Sequence, residues 1–90
     1  MYYVYILFSQ KDHQLYIGFT GNLDRRLNEH HSGKTQSTKF RRPLILIYYE
    51  AHLVKSDAMR RERYFKTTKG KSTLKQILRE SLLKFDYKSL

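Results

Sequence analysis

Two tyrosines, an arginine and a histidine stand at spacings that could bring them into one polar site. Tyr16 lies in a short apolar stretch that ends at Gly18, and Tyr5 lies in the apolar stretch before it. Arg26 and His30 follow in a helical pattern, four residues apart and therefore on one helix face. Because guanidinium groups fork onto phosphate oxygens and stabilise charge developing there, this spacing predicts a phosphate-directed site between a strand and the next helix.

Each of these side chains also has a purely structural interpretation. A phenol has a pKa of about 10 and is a poor base at neutral pH, so Tyr5 and Tyr16 could simply pack in a sheet. They become plausible bases if they relay a proton to a metal-bound hydroxide or if nearby cations lower their pKa values. His30 could likewise hold a proton or a phosphate, or serve only the fold.

Glu62 is the carboxylate whose position needs an explanation. It follows Ala58 by four residues and Met59 by three, and it precedes Phe65 by three, which predicts a place within the apolar stripe of a helix. A carboxylate is costly there unless it is paired. One interpretation is an ion pair with a neighbouring arginine. The other is a divalent cation that also touches a phosphate.

The net charge of +10, from 18 Lys and Arg against 8 Asp and Glu, is spread over both halves of the chain. Such an excess indicates a polyanionic partner, most often a nucleic acid, although a charge that serves only solubility is the alternative. The cations expected to meet such a partner lie in the polar segment 32–42 and near Glu62. They are Lys34, Lys39, Arg41, Arg42, Arg60 and Arg61.

Length and composition limit the class of protein. Ninety residues predict a single domain spanning 1–90, with a modest core. The absence of cysteine excludes disulfides and thiolate metal sites. No apolar run reaches the roughly 20 residues of a membrane helix, and the N-terminus lacks the features of a signal peptide, so a cytoplasmic protein is expected.

The order of apolar stretches predicts a ββαβαα arrangement. Strands are expected over residues 2–8, 15–18 and 44–49, and the third is expected to be central in its sheet. The segment 32–42 is expected to be a mobile loop with little regular structure. A small sheet with helices on its faces is the natural way to bury these elements.

Three helices complete the prediction. Asn22 is expected to cap the first, which runs to about His31 with Gly33 at its stop. Ser56 is expected to cap the second, which ends near residue 68 with Gly70 just beyond it. Ser72 is expected to cap the third, whose core face includes Leu74, Ile77, Leu78 and Leu82.

Together these residues resemble the GIY-YIG nuclease superfamily. Tyr3-Val4-Tyr5 stands at the first motif, with Tyr3 in the place of its glycine, and Tyr16-Ile17-Gly18 matches the second. Arg26 matches the catalytic arginine of the family, His30 a histidine that many members carry, and Glu62 the metal-binding glutamate. The chain is most similar to a small stand-alone bacterial group that resembles the nuclease domain of the excision-repair endonuclease.

The resemblance implies an α+β domain, a three-stranded antiparallel sheet flanked by three helices, that acts as a metal-dependent DNA endonuclease in DNA repair or processing. Glu62 would hold Mg²⁺ or Mn²⁺, Tyr5 or Tyr16 would activate water, with Tyr5 preferred, and Arg26 would steady the pentacovalent phosphorus. DNA would be bound through unspecific backbone contacts. A protein partner stays open, and a monomer is favoured. The alternatives are a nucleic-acid-binding module without turnover and a protein-interaction adaptor.

Overall fold

Three antiparallel strands form the sheet, in the order β2-β1-β3. The computed structural model describes residues 1–85. The strands are β1 (Tyr2–Ser9), β2 (Leu15–Thr20) and β3 (Leu44–His52). The predicted central position of the third strand is wrong. The central strand is β1, because it pairs with its hairpin partner β2 on one edge and with β3 on the other.

Within residues 1–85, four α-helices rather than three accompany the sheet. They are α1 (Leu23–His31), α2 (Lys55–Phe65), α3 (Thr68–Ile77) and α4 (Arg79–Lys84). The α+β class with a three-stranded antiparallel sheet is confirmed. Among residues 1–85, no helix is both long enough and apolar enough to cross a membrane.

The first helix follows the prediction and the later ones do not. Asn22 caps α1 by accepting the Arg25 N–H, and Gly33 follows the helix at φ +80. The cap of α2 is Val54, without a side-chain hydrogen bond, rather than Ser56.

The chain beyond α2 also differs from the prediction. Gly70 lies inside α3, because the Thr67 hydroxyl accepts its N–H at 3.0 Å and starts the helix before Ser72. A Cβ at Gly70 would collide with the Tyr64 carbonyl, so the tight turn between α2 and α3 needs glycine. The predicted third helix is divided at Leu78 into α3 and α4.

The alternation of β1 divides the interior into two layers. Val4 and Ile6 point to the larger core, which they share with residues of α2, α3 and α4. Tyr5 and Leu7 point to the other face, where leucines of α1 pack on them. In the β1–β2 register Leu7 pairs with Tyr16, so both site tyrosines lie on the face that α1 covers.

The segment 32–42 is ordered, contrary to the prediction. The Thr35 carbonyl accepts the N–H groups of Thr38 and Lys39, and a short 3-10 turn, Lys39–Arg41, follows. Asp12 in the β1–β2 loop accepts the Arg41 guanidinium at 2.6 Å. The composition of the segment did not indicate this order, because bonds such as that from Arg41 to Asp12 join residues that are distant in the sequence.

Candidate active site

Tyr5, Arg26 and His30 meet in one hydrogen-bonded cluster under α1. The Tyr5 hydroxyl lies 2.8 Å from His30 Nε2, and Arg26 Nε donates to the same hydroxyl at 3.4 Å. Tyr5 is 1% exposed and His30 is fully buried. Arg26 is half-buried and also pairs with Glu29 at 3.0 Å. Arg26 and His30 lie one helical turn apart, as predicted, and both side chains therefore reach the hydroxyl of Tyr5.

Gly18 makes room for this phenol. It is the partner of Tyr5 across the β1–β2 ladder. A Cβ at Gly18 would overlap the Tyr5 hydroxyl and ring. Any larger residue would push the phenol away from His30 and Arg26. Close packing against Tyr5 therefore explains why the second motif ends in glycine.

Burial sets the protonation states of the cluster. It raises the pKa of Tyr5 to about 12, although the hydrogen bond from Arg26 opposes this. Burial, with Arg26 nearby, lowers the pKa of His30 to about 4. The pKa of Arg26 is raised, mainly by the same Tyr5 contact. At neutral pH the cluster therefore holds a neutral phenol, a neutral imidazole and a permanent cation.

Thr38 completes the cluster, and no sequence pattern predicted it. Its hydroxyl lies 2.7 Å from His30 Nδ1, and its side chain is fully buried. All four groups are satisfied if Nδ1–H donates to Thr38 and Tyr5 donates to the free Nε2. A threonine in a polar segment eight residues from its partner carries no periodic signal that could have identified it.

Tyr16 lines the same site from the neighbouring strand. Its ring centroid lies 6.4 Å from that of Tyr5 and 5.2 Å from that of His30. Ser37 donates to its hydroxyl at 3.4 Å. Unlike Tyr5, Tyr16 is only half-buried, so its hydroxyl is the more accessible of the two.

Glu62 lies close enough to act on this cluster, because its charge contributes to the raised pKa of Tyr5. Its side chain is 21% exposed and accepts a hydrogen bond from Lys66, not from an arginine, at 3.2 Å. Met59, expected in the same apolar stripe, is exposed. The stripe is therefore narrower than predicted, and Glu62 lies at its border.

The donor set at Glu62 fits a hard divalent cation held largely by water. Residues 1–85 contain no group of three His, Asp or Glu side chains that could form a closed metal site. Mg²⁺ is commonly bound through one or two carboxylates, several waters and substrate phosphate. Glu62 fits that pattern, since its partner Lys66 is more than half exposed and can move aside.

The six cations predicted to contact DNA divide into two groups. Arg41 is held by Asp12, Arg42 donates to the Lys39 and His31 carbonyls, and Arg61 forks onto Glu50 at 2.9 and 3.0 Å. Those three arginines hold the fold together. Of the remaining three, Lys34 and Arg60 are exposed, although Arg60 pairs with Asp57 at 2.8 Å, and Lys39 is half-buried.

Comparisons with known proteins agree with this geometry. Residues 1–76 match the GIY-YIG catalytic domain family. A UPF0213 protein of Staphylococcus haemolyticus is 46% identical over 77 residues, which cover 84% of this chain and 93% of the relative. A UPF0213 protein of Clostridium perfringens is 38% identical over 88 residues, covering 97% and 94%. No solved structure matches.

The chain therefore belongs to the GIY-YIG family, and its fold is of the nuclease type. Its relatives are UPF0213 proteins, the small stand-alone group within that family.

Proposed function

We propose that this protein is a metal-dependent endonuclease that hydrolyses phosphodiester bonds in DNA. The observation that carries the proposal is the convergence of Tyr5, Arg26 and His30 on one hydrogen-bonded point, with Tyr16 beside it. The net charge of +10 supports a nucleic-acid substrate. DNA repair or processing is the setting that we propose for this activity.

Arg26 is the residue that we assign to the scissile phosphate. Its pairing with Glu29 lies at the surface, and its contact with the uncharged Tyr5 hydroxyl leaves its positive charge uncompensated on that side. A guanidinium held in this way is placed in advance for the negative charge that a pentacovalent phosphorus gains. Tyr5 and His30 orient it.

Tyr16 is the better candidate for the group that takes a proton from the attacking water. The resemblance leaves both tyrosines open and our preference from the sequence is Tyr5, but Tyr5 is 1% exposed, engages two partners and has a pKa of about 12. Tyr16 is half-buried, and its hydroxyl is therefore the more accessible of the two to an attacking water. Tyr16 would accept the proton of the water as it passes its own phenolic proton to solvent. The resulting hydroxide attacks phosphorus, the bond to the 3′ oxygen breaks, and that oxygen takes a proton from solvent, so that a 5′ phosphate and a 3′ hydroxyl remain.

Glu62 is the residue that we assign to the metal. Mg²⁺ or Mn²⁺ bound there, with waters and the scissile phosphate, would neutralise charge on the leaving 3′ oxygen. Two observations support this assignment. The partner of the Glu62 carboxylate, Lys66, is more than half exposed, and the Glu62 charge lies within electrostatic reach of Tyr5.

Incubation with supercoiled, branched and single-stranded DNA, each with Mg²⁺, Mn²⁺ or EDTA, tests the proposal. We expect cleavage of at least one substrate with metal and none with EDTA. Retention of DNA without cleavage under every condition would contradict the proposal and would favour a binding module that uses the same basic surface.

A further inference from the structure

Phe40 is an aromatic side chain that the fold does not use. It lies in the 3-10 turn Lys39–Arg41 and is 72% exposed. Burying a phenylalanine is worth roughly 1.5–3 kcal/mol, which the fold forgoes here. Single exposed apolar residues are ordinary, so exposure alone assigns no role. The residues that surround this ring do indicate a role.

The turn that carries Phe40 is fixed on both sides. Arg41 pairs with Asp12, and the Ser9 hydroxyl donates to the Arg41 carbonyl at 2.6 Å. Arg42 Nε donates to the Lys39 carbonyl at 3.0 Å. The backbone beside Phe40 is therefore held in one conformation, and the ring points to solvent from a fixed base.

The same segment reaches the candidate active site. Thr38, two residues before Phe40, contacts His30 at 2.7 Å, and Ser37 donates to the Tyr16 hydroxyl at 3.4 Å. A strand with its phosphate at Arg26 would therefore run past the segment that carries Phe40.

The chemistry around the ring selects a nucleic acid rather than a protein. Lys39 Nζ lies 4.9 Å from the ring centroid, over one face. Segment 32–42 contains basic residues and no acidic residue. An aromatic face beside cations is the usual platform for a nucleobase, since the base stacks while the cations meet the backbone.

We propose that Phe40 and Lys39 form a stacking site for an unpaired nucleobase next to the scissile phosphate. The site would direct the proposed nuclease to DNA with a single-stranded segment at the cleavage point, and this inference rests on the proposed function. The base must be unpaired because, within a duplex, its faces are already covered by its neighbours.

Binding measured in EDTA tests the stacking site without requiring turnover. Fluorescence anisotropy would compare a short single-stranded oligonucleotide with a blunt duplex of the same sequence. Parent, Phe40→Ala and Phe40→Trp proteins would be measured beside Leu53→Ala, which removes an equally exposed apolar side chain outside this segment.

We expect Phe40→Ala to weaken single-strand binding on the order of tenfold and duplex binding less than twofold. Phe40→Trp should retain single-strand affinity, and Leu53→Ala should match the parent on both ligands. Equal losses by Phe40→Ala on both ligands, or no loss on either, would overturn the stacking site. A selective loss in a protein that cleaves no DNA would keep the stacking site and reject only the nuclease.

Discussion

A second cluster, on the opposite face of the sheet, contains the same three residue types as the candidate active site. There Tyr48 donates to Glu50 at 2.7 Å, Arg61 forks onto the same carboxylate, and His52 Nε2 lies 3.2 Å from it. Burial and the Glu50 contact raise the pKa of Tyr48 to about 12, as burial does for Tyr5. We call this group the Glu50 cluster.

The two clusters differ by one carboxylate, Glu50, whose side chain is only 17% exposed. Burial would raise the pKa of Glu50, but hydrogen bonds from Arg61 and Tyr48 outweigh burial and lower it. The charge of Arg61 is thus compensated inside the fold. Arg26 faces a neutral phenol instead, and its carboxylate partner Glu29 lies at the surface. The comparison shows that a Tyr-Arg-His group is structural when it encloses its own anion and is available for an external anion when it does not.

Arg26→Ala should produce the largest change. We expect turnover to fall on the order of 10²- to 10³-fold, because the guanidinium acts on charge that develops in the transition state. The free energy of unfolding should change by about 1 kcal/mol or less, since the ion pair with Glu29 is only partly buried. Single-turnover cleavage and urea denaturation measure the two effects. Arg25→Ala, a neighbouring exposed cation, is the control, and equal losses in both variants would make Arg26 a docking residue.

Acid should weaken the fold through His30. Its pKa is about 4 in the folded protein and 6.5 in the unfolded chain, so the unfolded chain binds the proton first. The contribution of neutral His30 to the free energy of unfolding is fully present above pH 6.5. It falls by roughly 3 kcal/mol as the pH is lowered from 6.5 towards 4. Urea denaturation between pH 7 and pH 4 measures this loss. His30→Gln should flatten the dependence while His31→Gln should not, and an unchanged slope in His30→Gln would refute the assignment.

Arg61→Ala should lower the free energy of unfolding and leave the rate of cleavage unchanged. Removing the guanidinium leaves Glu50 largely buried without its principal partner, which should cost about 1–3 kcal/mol. Cleavage per folded molecule should match the parent. Arg60→Ala, which loses only an exposed pair with Asp57, should change stability by less than about 1 kcal/mol. An Arg61→Ala protein as stable as the parent would remove the distinction between the clusters.

Thr38→Val should have the smallest effect. It keeps the side-chain shape and removes the oxygen that contacts His30 Nδ1. A buried N–H left without its acceptor costs about 1–3 kcal/mol, and only the part of that cost that displaces the imidazole reaches catalysis, so turnover should fall by about tenfold at most. Thr38→Ser should restore the parent rate. If the serine variant is as slow as the valine variant, the methyl group rather than the hydroxyl positions the imidazole.

Local patterns predicted the part of the site that lies on α1. The cap at Asn22, the stop at Gly33 and the four-residue spacing of Arg26 and His30 are all encoded within one helix. The tyrosines followed from short motifs on apolar strands. These features depend on neighbours in the sequence, which a pattern records directly.

Contacts between distant segments were not predictable in the same way. β1 and β3 are both continuously apolar, so composition could not show which of them is paired on both edges. Thr38 and the partnership of Glu50 with Arg61 depend on how the chain returns to the sheet. The predicted helix stop at Gly70 is wrong because the signal at glycine does not distinguish a helix end from a close helix crossing.

Plasmid nicking by Glu62→Gln tests the central claim most directly. The variant keeps the size of the side chain and removes the charge that a metal needs, so Mg²⁺-dependent nicking of supercoiled DNA should collapse. The melting temperature should stay near that of the parent, since the pair with Lys66 is largely exposed on the lysine side. A variant that nicks DNA with Mg²⁺ at the parent rate would contradict the metal site and the proposed mechanism with it.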